Sequence, residues 1–321
     1  MEHNKETLNG LKEYMGDNDM VFIDAKDTFD FQCQQCGRCC MHRTDIILNP
    51  FDVYNGARYL GITPEEFLQK YTIFSLGGTS RIPMVMLACD DRGWCPLLTF
   101  DIKDGGKYKC TINPAKPGAC ANHPIGTVRE YNKTTGEESV HYVKVSSCTN
   151  SQGHNELHVV EDWCKNYLAH IDEIKVAHEL QTCVEDFFPC RLLDFLMFVI
   201  GRAQEEHDLP EQFKDLEPAL NSMRQIYNAF QDKYIGVLYA NYDTSKPFIE
   251  QAKKNKDELV EHIFTPMRKM LVMFCKDMPE VLKEMLKIKV GVACEKFFDE
   301  IKDEDVKIDT ALESKEEENN D

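Results

Sequence analysis

Four cysteines in one short stretch, Cys33, Cys36, Cys39 and Cys40, constrain this chain more than any other feature. The stretch reads Phe31-Gln32-Cys33-Gln34-Gln35-Cys36-Gly37-Arg38-Cys39-Cys40, two overlapping C-x-x-C steps ending in a doublet. Two intervening residues let the backbone turn and bring both sulfurs onto one ion or cluster. Gly37 serves that turn by accepting positive φ, and backbone N–H groups in such a turn offset the charge of the sulfurs. Adjacent side chains diverge, so Cys39 and Cys40 address different positions: one the first site, the other a second site or a shared polynuclear cluster. That arrangement needs more ligands than the quartet holds.

Further thiols follow at Cys95, Cys110, Cys120 and Cys148. With the quartet they make eight, enough for two four-coordinate thiolate sites. Ten of the 14 cysteines lie from Cys33 to Cys164. The N-terminus is polar and acidic, with no basic region followed by an apolar run, so a cytosolic setting is expected, where thiols stay reduced. Metal then explains the clustering better than disulfides.

The spacing also excludes. A bacterial ferredoxin carries its fourth cysteine three residues after the third, and here that position is Arg43. A zinc ribbon shows two separated knuckles, not an overlapping triplet followed by isolated cysteines. The overlap favours an iron–sulfur cluster slightly over zinc. A net charge of −18 argues against nucleic acid and anionic membranes as partners, and no apolar run has the length of a membrane span.

Around the cysteines the pattern is mixed. Residues 5–15 read as a short helix. Asn49-Pro50-Phe51-Asp52 reads as a helix start with Asn49 as cap, and Gly61 as its end. Thr63-Pro64-Glu65-Glu66 opens a second helix with a capping box. Pro83–Leu87 and Leu97–Phe100 read as strands, and Val128–Tyr131 with Val140–Val145 as a hairpin across Asn132–Gly136. After about residue 155 the period becomes helical. Leu216, Leu220, Met223, Tyr227, Phe230, Tyr234 and Val237 form one stripe, Leu259, Ile263, Met267 and Met270 another, and residues 192–200 a buried helix. Residues 303–321 hold nine acids and two lysines and read as a disordered tail.

The order of sub-motifs carries a resemblance. Cys33-x2-Cys36-Gly37-x-Cys39-Cys40, Asn49-Pro50-Phe51-Asp52, Cys95-Pro96-Leu97-Leu98, and Cys110-x-Ile112-x2-Ala115-Lys116-Pro117-x2-Cys120-x3-Pro124 follow one another. Together they resemble the YkgJ-type cysteine-cluster family, a zinc- or iron-chelating domain, over about Phe31 to Cys164. The family has an Arg-Pro pair before its late cysteine and an Arg after it. Lys116-Pro117 and Ala121 stand there in this chain, which weakens a basic contact. Flagellin lysine methylases resemble the family in their cysteine cluster. No glycine-rich methyl-donor loop is present here, so that activity is not expected.

The remaining candidates read more plainly. Cys89 falls outside the pattern and reads as a packing residue, and Cys164, after Trp163, as core or ligand. Cys183, Cys190, Cys275 and Cys294 read as core cysteines on helical faces, and Met267, Met270, Met273 and Met278 as core filling. His42 and His123 read as surface histidines, with ligation or donation to a thiolate as the alternative. His154 and His158 stand four apart, as a helical metal pair would, but no acid completes H-E-x-x-H. Arg38, Arg43, Arg81 and Lys109 are the cations available to balance the thiolates, and the lysines at 253–256 read as a solvated helix face.

The expectation is an α+β protein: a cysteine-cluster metal-binding domain over residues 20–165, an all-helical domain over 166–302, and the acidic tail. Its cofactor is an iron–sulfur cluster or zinc, ligated by Cys33, Cys36, Cys39, Cys40, Cys95, Cys110, Cys120 and Cys148. Its helical region offers a surface to a protein partner or substrate. The alternative is a structural zinc domain supporting a helical interaction module.

Overall fold

The computed structural model describes residues 21–41, 46–77, 82–103, 105–131, 138–145, 151–165, 169–181 and 217–269, with single helical positions at 280, 283 and 284. Strands and helices are both present, a mixed α+β arrangement. The described residues fall into two units. One draws on 1–73, 85–177 and 242–249, the other on 74–84, 178–241 and 250–321.

The first unit is a set of small antiparallel sheets. β1 (Val21–Ile23) pairs with β9 (Glu138–Lys144), which also pairs with β8 (Ile125–Tyr131), giving the order β1-β9-β8. β2 (Thr28–Asp30) pairs with β10 (Leu157–Val159), with Phe29 opposite His158. β3 (Ile47–Leu48) pairs with β5 (Pro83–Leu87), Leu48 opposite Val85, and β4 (Thr72–Leu76) lies on the other side of β5. β6 (Leu98–Asp101) and β7 (Lys107–Cys110) form a hairpin with Leu98 opposite Cys110.

Helix signals in the sequence are realised where they were expected. α1 spans Pro50–Leu60: the Asn49 side chain accepts from the Asp52 N–H, and the Asp52 carboxylate accepts from the Asn49 N–H. Gly61, in the left-handed region, ends it. α2, Pro64–Tyr71, opens with the same reciprocal box between Thr63 and Glu66. α3 is the short Gly118–Ala121, and α4 is Val160–Trp163. Val53, Ala57, Phe67 and Val85 have no exposure at all. A second cluster joins Phe29, Phe31, Ile125, Val160 and Cys164, with Trp163 packed on it. Phe51, Tyr54, Tyr242 and Phe248 form an aromatic group, with the Tyr54 hydroxyl donating to the Lys246 carbonyl.

From Ile171 onward the described residues are helical except for the turn before Phe248: α5 (Ile171–Gln181), α6 (Glu217–Ile235) and α7 (Phe248–Glu258). π-helical turns follow at Gly236–Ala240 and Leu259–Phe264. In the second unit Phe230, Tyr234 and Val237 are buried, as are Leu259, Ile263 and Met267, so those parts of both stripes face inward. Asn255 is buried among them and donates to the Val237 carbonyl at 2.9 Å, satisfying backbone in the wider turn. Lys253 and Lys254 are exposed. The expectations for residues 5–15, 192–200, Leu216, Met270, Met273, Met278, the turn at Asn132–Gly136 and the tail at 303–321 lie outside the described residues. Among the described residues no helix is long and apolar enough to cross a membrane.

Candidate metal centre

The quartet begins where the second core cluster ends. Phe31 is buried in that cluster, and its N–H donates to Glu156; the next N–H, of Gln32, donates to the Ser151 carbonyl. The chain then leaves the sheet and turns at Gly37 into a 3-10 turn over Arg38–Cys40. Gly37 has φ 76°, the positive φ that a glycine accepts in such a turn, and a side chain there would be crowded. A Cβ there would stand 2.7 Å from Met41 Cε and 2.9 Å from Tyr108 Cγ.

Two segments hold this turn. Cys95 N–H donates to the Cys40 carbonyl at 3.4 Å, and Met41 bridges Trp94. On the other side Tyr108 N–H donates to the Gln35 carbonyl at 2.9 Å. Cys110 ends β7, so the hairpin carries it to the same place. Cys120 arrives on α3, which Asp52 ties down: the Gly118 N–H donates to its carboxylate at 3.1 Å. Asp52 therefore caps α1 and holds the helix of Cys120 together. Burial pushes its carboxyl up to about 6, against the two N–H groups, of Asn49 and Gly118, that favour the charged form.

These tethers gather thiols from three separated stretches around one cavity of about 220 Å³. Cys33, Cys39, Cys40, Cys95, Cys110 and Cys120 line it, together with Cys89, His123 and Lys116. The rest of its wall is apolar, including Phe31, Ile46, Leu87, Leu97, Ile112 and Trp163. A neighbouring cavity of about 220 Å³ takes in Cys36 and shares Cys33, Cys39, Cys40 and Cys110 with the first. Arg38, Lys109 and Lys116 stand on its wall. Cys148, His42, Arg43 and Arg81 lie outside the described residues, as do Cys183, Cys190, Cys275 and Cys294.

All nine described cysteines are thiols, not disulfides. Burial pushes the Cys95 thiol up to about 11; the Leu97 N–H opposes this, and the nearby sulfurs of Cys110, Cys89 and Cys40 add to it. Burial also raises Cys110, opposed by the Ile112 N–H and by the charge of Lys116. In both, the N–H two residues on points at the sulfur, the local device that stabilises a thiolate. Lys116, in the place of the family's arginine, also lines the cavity. Several thiols crowded into an apolar wall resist ionisation until a cation reverses the balance, so the donor set suits a thiophilic metal. Among the described residues no three His, Cys, Asp or Glu side chains converge on a single point.

Three placements differ from the reading of the sequence. Cys89, taken for a packing residue, lines the thiol cavity. His158 lies on strand β10, not a helix, and its Nε2 pairs with the Phe31 carbonyl at 2.8 Å, so it forms no helical pair with His154. His123, read as a surface residue, has a buried Nε2. Cys164 has no exposure and sits in the core cluster with Phe29, Phe31, Ile125 and Val160.

Residues 32–165 match the model of the CxxCxxCC family, described as "putative zinc- or iron-chelating domain". No curated protein and no solved structure matches the chain.

Proposed function

From the membership of residues 32–165 in the CxxCxxCC family, we propose that this chain is a metal-binding protein whose thiol cavity holds a redox-active iron–sulfur centre. Cys33, Cys36, Cys39, Cys40, Cys95, Cys110, Cys120 and Cys148 are its ligand pool. The observation that carries the reading is the gathering of six of these eight around one cavity, from three stretches separated by 55 and 15 positions in sequence. A single tetrahedral ion takes four ligands; a larger thiol set around a void of this size favours a polynuclear group. Such a group supplies one-electron chemistry. The chain's own contribution is to hold the sulfurs on short turns, to aim the Leu97 and Ile112 N–H groups at two of them, and to set Lys116, Lys109 and Arg38 nearby. The apolar wall limits water, which tunes the potential of any group bound there.

A second reading keeps the metal structural: zinc in four thiolates, with the helical region offering a surface to a protein partner. The matched turns at Cys95–Leu97 and Cys110–Ile112 fit it too, since N–H donation to sulfur serves zinc equally well. Anaerobic purification followed by assay of iron, zinc and acid-labile sulfide, with a visible spectrum, separates the two. Iron with matching sulfide and a brown chromophore is the expected result. Colourless protein with one or two zinc ions per chain would establish the second reading, and protein that holds neither metal would overturn both.

A further inference from the structure

One thiol of the cavity is accounted for neither by the C-x-x-C spacing nor by the family pattern. Cys89 follows β5, and a tight loop separates it from Cys95. The Asp90 N–H donates to the Trp94 carbonyl at 3.0 Å and the Gly93 N–H to the Asp90 carbonyl at 2.7 Å. The Asp90 carboxylate accepts from the N–H groups of Arg92, at 3.0 Å, and Trp94, at 2.9 Å, and from the Arg92 guanidinium. These bonds lock the loop from inside and leave Cys89 and Cys95 as the two ends of its stem. The stem is fastened to the quartet through the bond from Cys95 N–H to the Cys40 carbonyl. The β6–β7 hairpin then closes the fourth side, with Leu98 N–H donating to the Cys95 carbonyl and Leu98 lying opposite Cys110.

We infer that Cys89 is a further thiolate ligand of the metal centre, on the cavity wall that Cys40, Cys95 and Cys110 also line. The inference rests on the metal-centre reading above. All four residues line the same void. They come from the quartet, the two ends of one locked stem, and the end of a hairpin strand. A stem whose backbone is already held loses little freedom on binding metal, which is what a ligand pair needs. The Asp90 carboxylate beside it is engaged by its own loop and leaves the thiols as the donors.

The test uses the full chain, purified without oxygen and carrying its iron or zinc. The protein is treated with iodoacetamide before and after chelation, and alkylation of Cys89 is read by peptide mass spectrometry. Loss of Cys89 labelling in the loaded protein, and its return after chelation, is expected. Equal labelling in both states would overturn the assignment even where the protein is fully loaded. The Cys89→Ser variant is measured beside it: lower metal per chain or a displaced visible spectrum is expected, and unchanged content with an unchanged spectrum would overturn the assignment. If that variant does not fold, the alkylation of the unaltered chain decides alone. Unaltered protein that holds no metal would overturn the metal-centre reading itself, and this inference with it.

Discussion

Cys95 and Cys164 are both thiols that burial pushes up to about 11, yet they sit in opposite kinds of surroundings. Around Cys164 there is only packing: Phe29, Phe31, Ile125 and Val160 surround it, and burial is the sole cause of its shift. Around Cys95 there are the Leu97 N–H and three other thiols, on the wall of an open cavity. A buried cysteine among hydrocarbons is a small hydrophobe. The same residue with an N–H donor and further sulfurs is suited to the ligand role proposed for it. Raised thiol pKa therefore does not distinguish the two; the company each sulfur keeps does.

Removing the metal should widen that contrast most. If the thiol cavity is a metal centre, ligand binding there is also folding energy, on the order of 10 kcal/mol for a structural thiolate site. Chelation should lower the melting temperature sharply and abolish protection of amides in residues 33–40 and 95–120 from hydrogen exchange, leaving the amides around Val160 less affected. Equal loss in both regions would show that the cavity and the core cluster are not separable.

Asp52 offers the next largest effect, about 3 kcal/mol for a carboxyl raised from 3.8 to about 6. Between about pH 4 and pH 6 the folded protein retains a proton that the unfolded chain releases. This group's contribution to stability therefore falls as pH rises through that window, and its full cost is present above it. Asp52→Asn should remove that slope while loosening α3 and Cys120. Urea unfolding of both proteins at pH 4.5 and pH 7 checks the difference, which cancels the opposite slopes of other carboxylates such as Asp90.

Gly37→Ala should cost about 2 kcal/mol, from the left-handed backbone and the contacts with Met41 and Tyr108. Its loss should appear together with lower metal uptake. Cys164→Ala should cost about 1 kcal/mol by leaving a small void, with metal per chain unchanged. A metal deficit in Cys164→Ala, or none in Gly37→Ala, would erase the distinction between the two regions.

Much of the local structure was legible before any coordinates. Asn49 and Thr63 cap the helices they were expected to cap, and β5 spans the expected Pro83–Leu87. Gly37 takes the positive φ that the cysteine spacing called for. The place of Cys89 on the cavity wall was not legible because six positions to Cys95 matches no metal-knuckle spacing. The available signal was Asp90-Asp91-Arg92-Gly93, a turn sequence that folds the chain back and brings its flanking cysteines together. The helical period expected after about residue 155 does not hold at His158, where pairing with Phe29 makes the segment a strand, and a four-residue interval carries meaning only on a helix.

From its residues alone the chain declares a thiolate chemistry, mixed helices and strands, and the turn at Gly37, because each follows from neighbours a few positions apart. Which thiols share a wall was decided only by the tertiary structure. That choice depends on bonds such as Cys95 to Cys40, Tyr108 to Gln35 and Gly118 to Asp52. Their partners lie 55, 73 and 66 positions apart, and no local propensity specifies a contact across such distances; it forms only when the sheets and helices between have packed.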